Sequence, residues 1–280
     1  MPYCDVAKDV RLYYQDFGDG PAVIFTPSGS QTHKMWENQV AALVADHRTV
    51  AYDWRGTGAS DKPRAGYTVE QAAADLCALV ESLGLAPAIL VGHGIGNHVS
   101  LLAATKRPDL VAGLALASAS PWFSGVHDGV AGGLATEFLD LMGRGAAATG
   151  TRGKPYAQVC AELSERFLFH RPQPPAVHQS ILEQALNWPL AVINAYAKSL
   201  AAIDHRERAA LVQCPTLVIQ GRHDRKTLYG GAAYLARRIA GARFVTLENS
   251  AHMGQIEEIE AFNGALREFT ESVRQRKRAA

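Results

Sequence analysis

Residues 88–100 read Ala-Ile-Leu-Val-Gly-His-Gly-Ile-Gly-Asn-His-Val-Ser, and this stretch decides the fold class. Four apolar residues lead straight into a turn with glycine at positions 92, 94 and 96, and a helical pattern follows over 95–106. A short strand that is apolar throughout is typical of a parallel sheet covered on both faces. The segment therefore predicts a buried strand, a tight turn and a helix.

The same alternation of strand and helix extends along most of the chain. Further strands are predicted over 10–17, 22–26, 48–54, 110–118, 216–220 and 242–247. Helices are predicted over 36–45, 68–83 and 228–239, and again from about residue 254. This pattern predicts an α/β fold, with a mostly parallel, twisted sheet and helices on both faces. Because ligands bind at the carboxyl ends of such strands, the loops after Thr26, Gly92, Ser118, Gly221 and Glu248 should meet at one place.

The alternation stops between residues 121 and 205. This stretch has helical spacing over 137–142, 156–169, 178–187 and 191–203, interrupted by segments rich in glycine and proline. We predict a helical cap at 121–205, inserted into a core formed by residues 1–120 and 206–280.

Composition and residue spacing argue against several classes of binding partner. The chain has 280 residues and a net charge of +1, so no strong field would attract nucleic acid or an acidic membrane. No apolar run is long enough to span a bilayer. The four cysteines lie far apart, and residues 1–10 lack the pattern of a secretion signal, which favours reduced thiols in the cytoplasm. No spacing of metal ligands or nucleotide-binding glycines is present, so neither a metal nor a cofactor is indicated.

Several motifs occur in the order that one enzyme family uses. Residues 53–60 read Asp-Trp-Arg-Gly-Thr-Gly-Ala-Ser, and residues 92–96 read Gly-His-Gly-Ile-Gly between a strand and a helix. Asp224 follows a later strand, and His252 comes after the last one. The sequence thus resembles the α/β-hydrolase superfamily of the type with a cap domain, where G-x-S-x-G, an acid and a histidine appear in this order.

The resemblance implies an eight-stranded sheet and a catalytic set at its edge. His252 would act as the general base, with Asp224 orienting its ring, and Gly94 would stand at the nucleophile position. The implied oxyanion donors are backbone N–H groups of Gly29, Ser30 and Ile95. The substrate pocket would include Ser28, Trp122 and Trp188.

The chain departs from the family pattern at two places. Ser28-Gly29 stands where the family usually has His-Gly, and Gly94 replaces the nucleophile. Glycine relaxes the strained turn but has no hydroxyl, so no acyl-enzyme forms there. The missing side chain should leave room for a water molecule beside His252. Neither Ser28 nor Ser30 is predicted to replace the nucleophile, and His93 is predicted to pack rather than react.

These features predict a hydrolase that uses water activated by His252 on an ester, a lactone or a similar activated carbonyl compound. The partner would be a small, apolar carbonyl compound; the oligomeric state is not predicted. A non-hydrolytic general-base enzyme of the same fold (a lyase, a cyclase or a cofactor-free oxygenase) is one alternative. A pseudoenzyme that binds its ligand without turnover is another, and an engineered replacement of serine by glycine would leave the same pattern. Dehalogenase and epoxide hydrolase chemistry is disfavoured because it needs an aspartate at position 94.

Overall fold

The computed structural model describes residues 2–147 and 156–279. Its main sheet has eight strands, in the spatial order β1-β2-β4-β3-β5-β6-β9-β10. These strands are β1 Tyr3–Ala7, β2 Val10–Phe17, β3 Ala22–Thr26, β4 Arg48–Tyr52, β5 Ala88–His93, β6 Val111–Ala117, β9 Thr216–Gly221 and β10 Arg243–Leu247. The pairs β1–β2 and β2–β4 are antiparallel, and the other neighbours are parallel. The predicted α/β fold with a mostly parallel eight-stranded sheet is confirmed.

Strand β1 has no counterpart among the strands predicted from residue patterns. It lies at the edge of the sheet, where β2 is its only neighbour, and Cys4 is its one buried residue. A strand that buries so little carries neither an apolar run nor a regular alternation, and it therefore leaves no clear signal in the sequence.

Helices cover both faces of the sheet, as predicted. Those outside residues 121–205 are α1 Glu37–Leu43, α2 Val69–Ser82, α3 Ile95–Lys106, α8 Arg206–Ala209, α9 Tyr229–Arg238, α10 Gly254–Glu257 and α11 Ile259–Ala279. Side chains alternate along the buried strands: Ile24 and Leu90 join an apolar cluster with α2 and α3, whereas Phe25 and Val91 join a second cluster with α11. The two clusters form the core on opposite faces of the sheet.

The segment between β6 and β9 is mostly helical. It contains α4 Thr136–Ala147, α5 Tyr156–Leu163, α6 Pro175–Leu186 and α7 Leu190–Ala201, and a π-helical turn, Ser164–Leu168, continues α5. It also holds an antiparallel hairpin of β7 Val126–His127 and β8 Val130–Ala131, before the first of the predicted helical stretches. Two-residue strands are too short to show a periodic pattern. The division into a core and a separate cap stays a prediction.

Two side-chain contacts join this segment to the loop after β3. Gln184 on α6 accepts hydrogen bonds from Thr32 through its N–H at 3.1 Å and its hydroxyl at 3.0 Å. The Trp188 Nε1–H donates to the Gln31 carbonyl at 3.0 Å. The helices are therefore tied to the edge of the sheet where the predicted site lies. None of the described helices is both long and apolar enough to cross a membrane.

Candidate active site

The loops at the carboxyl ends of the strands meet around one cavity, as predicted. This cavity has a volume of about 220 Å³. Ser28 follows β3, Gly94 follows β5, Ser118 follows β6, and His252 follows β10; all four line the cavity. Because each residue comes from a different strand, only the parallel order of the sheet brings them together.

His252 and Asp224 form a buried pair. The His252 Nδ1–H donates to Asp224 Oδ2 at 3.0 Å, and both side chains are fully shielded from solvent. Asp224 Oδ2 also accepts from Gln220 Nε2 at 2.9 Å, while Oδ1 accepts from the N–H groups of Lys226 and Thr227 at 2.9 and 2.8 Å. Four donors therefore hold the carboxylate in place. This arrangement assigns the proton of neutral His252 to Nδ1 and leaves the lone pair on Nε2.

The Nε2 atom of His252 lies at the other end of this pair, on the side of the cavity. It is buried and has no hydrogen-bond partner among the described residues, and the ring lines the cavity. Burial lowers the pKa of His252 below its ordinary value, and the positive charge of Lys226 adds to this, while Asp224 opposes both. The imidazole is therefore neutral at neutral pH, which is the form that accepts a proton from a nucleophile.

Two residues hold the backbone of His252. The His93 Nε2–H and the Ser118 hydroxyl both donate to the His252 carbonyl, each at 2.8 Å. The rings of His93 and His252 also meet edge to face, with centroids 4.7 Å apart. His93 is completely buried and absent from the cavity lining. His93 therefore packs away from the cavity, as predicted.

Gly94 ends the turn after β5 and precedes the first residue of α3, with φ 55° and ψ −121°. Side chains rarely adopt this conformation, which costs a non-glycine residue about 1–3 kcal/mol. A Cβ built on Gly94 would stand 3.7 Å from His252 Nε2 and only 2.5 Å from Ser28 Oγ. The Ser28 hydroxyl therefore occupies much of the space that a side chain at position 94 would take.

This placement narrows the space beside the turn, where room for a water molecule was expected, and that expectation stays a prediction. Ser28 lies 66 positions earlier in the chain, and only the pairing of β3 with β5 brings the two residues together. No hydrogen bond joins Ser28 Oγ to His252 Nε2. A solvent molecule that bridged the two atoms would have to lie beside the Ser28 hydroxyl rather than in its place.

The predicted oxyanion donors lie next to one another. A Cβ on Gly29 would come within 3.2 Å of Ile95 Cγ2, so the loop after β3 packs directly on the start of α3. As the first residue of the helix, Ile95 has an N–H without a partner inside the helix. Ser30 adopts φ 63°, an uncommon conformation for serine, and it lines the cavity with Gly29 and Ile95. These N–H groups can stabilise a developing negative charge on oxygen.

The turn of residues 53–60 fixes the loop after β3. Asp53 Oδ1 accepts from the His33 N–H and from His33 Nδ1, both at 2.8 Å, and Oδ2 accepts from the Ala59 N–H at 2.9 Å. The Ser60 hydroxyl donates to the Asp53 carbonyl at 2.6 Å. The motif therefore supports the loop after β3 from behind and does not itself line the cavity.

The cavity wall is mainly apolar and comes largely from the segment 121–205. Trp122 and Trp188, the two predicted pocket tryptophans, both line it. Other apolar lining residues are Phe123, Leu134, Phe138, Leu139, Met142, Leu163, Leu168, Ile181, Ile193, Tyr196 and Leu200. Such a wall suits a ligand with a substantial apolar part.

Sequence reasoning missed Gln220, His98 and Lys226. Gln220 links the segment after β6 to the loop that carries Asp224. Its Oε1 accepts from the Ala119 N–H at 3.1 Å, while its Nε2 donates to Asp224. His98 lines the cavity, and burial lowers its pKa to about 3. Lys226 also lines the cavity, and burial lowers its pKa to about 8. The one available signal was that Gln220 and Lys226 flank Asp224 in the sequence.

The described residues contain no cluster of three or more histidine, cysteine, aspartate or glutamate side chains that could hold a metal ion.

Comparison with known proteins agrees with this geometry. Residues 21–259 match the family described as alpha/beta hydrolase fold. The AB hydrolase superfamily protein YisY of Bacillus subtilis is 29% identical over 273 residues, which cover 96% of this chain and 99% of that protein. The 3-oxoadipate enol-lactonase 2 of Acinetobacter baylyi is 27% identical, with 93% of each chain covered. The solved structure of the enol-lactonase from Burkholderia xenovorans superposes with a TM-score of 0.83 at 26% identity, covering 96% of this chain and all of that one.

Proposed function

Since the chain belongs to the α/β-hydrolase family, we propose that it hydrolyses an activated ester or lactone, with His252 and Asp224 as the general-base pair acting on water. The observation that carries this proposal is the state of His252. One ring nitrogen is fixed by a buried carboxylate, and the other faces the cavity without a hydrogen-bond partner in the described part of the chain. An enzyme base needs this combination of a fixed tautomer and a free lone pair.

The proposed reaction begins with proton transfer from water to His252 Nε2. The water oxygen attacks the substrate carbonyl carbon, and the carbonyl oxygen becomes negatively charged. The N–H groups of Ile95 and of Gly29 or Ser30 would stabilise that charge. Asp224 would stabilise the imidazolium form of His252, which then returns the proton to the leaving oxygen.

Water is proposed as the nucleophile because neither nearby residue fits that role. Gly94 has no side chain, and the Ser28 hydroxyl forms no hydrogen bond with His252. In this arrangement the Ser28 hydroxyl is a hydrogen-bond partner for the attacking water. The proposal therefore assigns Ser28 a positioning role.

The substrate class follows from the absence of covalent catalysis at residue 94. A carbonyl attacked directly by water should be activated, as it is in an enol ester or a strained lactone. Two of the similar proteins are enol-lactonases, which supports a lactone for this chain as well. The mainly apolar wall contributed by segment 121–205, the predicted cap, suits the apolar part of such a substrate.

The test is turnover on a panel of enol lactones, γ-lactones and aryl esters, with wild type compared to His252→Ala. His170→Ala is the matched control because His170 is exposed and does not line the cavity. We expect wild type and the control to turn over at least one compound, and His252→Ala to lose on the order of 10²–10⁴-fold in kcat. Binding without turnover in wild type, unchanged in His252→Ala, would refute the proposal and indicate a ligand-binding protein.

A further inference from the structure

Lys226 is the only aspartate, glutamate, lysine or arginine among the described residues that line the cavity. Its ammonium lies 5.1 Å from the centre of the Phe138 ring, which belongs to the apolar cluster around α4 and α5. The histidines of the cavity, His98 and His252, both have lowered pKa values and are uncharged at neutral pH. The ammonium is therefore the one positive charge among the described lining residues of a mainly apolar pocket, and Asp224 acts on it only at a distance.

No carboxylate among the described residues compensates this charge by direct contact. Lys226 Nζ forms no ion pair or hydrogen bond with the described residues, and both oxygens of nearby Asp224 accept hydrogen bonds from other donors. The sequence of residues 144–155 contains neither aspartate nor glutamate, so that segment offers no acidic side chain either. A charge placed in an apolar setting without a partner is costly, and functional sites are where such costs are retained.

We propose that Lys226 binds a carboxylate group of the ligand. The apolar wall would take the hydrocarbon part of the molecule, while the ammonium pairs with its anionic end and Phe138 shields the pair from water. A carboxylate fits better than a phosphate because one ammonium neutralises one negative charge, and no second described cation lines the cavity.

The position of Lys226 relates this charge to the proposed chemistry. Its backbone N–H binds Asp224, and its side chain shares a cavity of about 220 Å³ with His252. A carboxylate on Lys226 and a carbonyl beside His252 would belong to one compact molecule. The assignment of the carboxylate to a substrate rests on the proposed function, but its binding to Lys226 does not. The substrate, predicted from the sequence to be an apolar carbonyl compound, would therefore also carry an acidic group.

Binding is tested first, without turnover. Trp122 and Trp188 line the cavity, so ligand binding should change the tryptophan fluorescence. We expect hexanoate to bind wild type about 10- to 100-fold more tightly than hexanamide, its uncharged counterpart, because hydrogen bonds to charged groups are the stronger ones. Lys226→Met should abolish this preference, and Lys226→Arg, which keeps the charge, should retain it.

Lys8→Met is the matched control, since Lys8 is exposed on the turn between β1 and β2 and should leave the preference unchanged. Thermal unfolding of each variant confirms that it is folded. An equal affinity for hexanoate and hexanamide in wild type, or a preference that survives in folded Lys226→Met, would overturn the proposal. A tighter binding of hexyl phosphate than of hexanoate would also overturn it.

Turnover assays distinguish a failure of the carboxylate site from a failure of the proposed hydrolase activity. The substrates are the 4-nitrophenyl ester of glutaric acid with its second carboxyl free and the same compound with that carboxyl methylated. We expect kcat/KM for the free acid to fall about 10- to 100-fold in Lys226→Met, with little change for the methyl ester. Turnover of both compounds without a preference would contradict the carboxylate site alone. Hexanoate binding that depends on Lys226, without turnover of either ester, would contradict the hydrolase alone.

Discussion

The hydroxyl oxygen of Ser28 lies 2.5 Å from the point where a Cβ on Gly94 would stand. A serine side chain at position 94 and the present Ser28 rotamer therefore exclude each other. The loop after β3 takes up space that the turn after β5 leaves free. The proposed water must therefore lie beside the Ser28 hydroxyl to reach His252.

Gly94→Ser should restore little esterase activity by itself. The new side chain must adopt φ near 55° at a cost of about 1–3 kcal/mol, and its Cβ meets Ser28 Oγ. In the double variant Gly94→Ser with Ser28→Ala, the nearest remaining Ser28 atom is Cβ, 3.6 Å from the new Cβ. We expect 4-nitrophenyl acetate hydrolysis with an acyl-enzyme burst in the double variant, and a smaller rate in the single one. Equal rates would contradict the steric conflict.

Ser28→Ala alone should lower kcat about 3- to 10-fold on the best substrate of the panel, which corresponds to the loss of one hydrogen bond to the attacking water. KM should change little, because the interaction acts on the nucleophile. Mass spectrometry of wild type mixed with a slow ester checks the role directly. An acyl group attached to Ser28 would show that the serine is a nucleophile and that the water mechanism is wrong.

Asp224→Asn should lower kcat by on the order of 10²–10⁴-fold, because the amide no longer fixes the proton of His252 on Nδ1. The fold should persist, since the amide oxygen can still accept from the N–H groups of Lys226 and Thr227. The measurement is kcat at saturating substrate, with circular dichroism as a control for folding. A variant that loses less than 10-fold would show that the pair is structural.

On the acid side of the pH–rate profile, the fall in kcat/KM should follow the protonation of His252. Its pKa is lowered by burial and by the charge of Lys226, against the effect of Asp224, so kcat/KM should fall only below pH 6.5. His93 also packs against this ring, but its own pKa is lowered well below 6.5 by burial. In Lys226→Met one of the two lowering causes is removed, and the acid side should move to higher pH. A profile that does not move would contradict the coupling of these two groups.

At alkaline pH, the affinity for a ligand should follow the deprotonation of Lys226, and only a negatively charged ligand should be affected. The pKa of Lys226 is about 8, lowered by burial, with the charge of Asp224 opposing that effect. The ammonium that binds hexanoate is therefore present below pH 8 and is lost as the pH rises through that value. Hexanoate affinity should fall above pH 8, whereas hexanamide affinity should not, and titration across pH 6–10 measures both.

Trp188→Phe should weaken the link between the end of α6 and the loop after β3. The variant loses the hydrogen bond from Nε1 to the buried Gln31 carbonyl, and the free energy of unfolding should fall by about 1–3 kcal/mol. Trp122→Phe is a matched control, since Trp122 Nε1 has no hydrogen-bond partner among the residues that the structure describes and also belongs to a buried ring in the cavity wall. Urea unfolding should show the larger loss for Trp188→Phe. Equal losses would mean that ring packing, not the hydrogen bond, matters.

The sequence by itself determined the order of most strands and helices along the chain, although β1 and the β7–β8 hairpin left no clear signal in it. Apolar runs such as residues 88–91 and glycine turns such as 92–96 are local patterns, and local patterns set local conformation. The order of Asp224 and His252 along the chain likewise predicted a pair, and the structure places them 3.0 Å apart.

Only the tertiary structure decided what surrounds that pair. Ser28 reaches the side of Gly94, and Lys226 reaches the Phe138 ring, through contacts between segments far apart in the chain. No periodicity encodes such distances, because they depend on strand pairing and on how the segment between β6 and β9 packs over the sheet. The chemistry of the site depends on these contacts: the neighbour of the base and the charge of the cavity are set by packing rather than by sequence order.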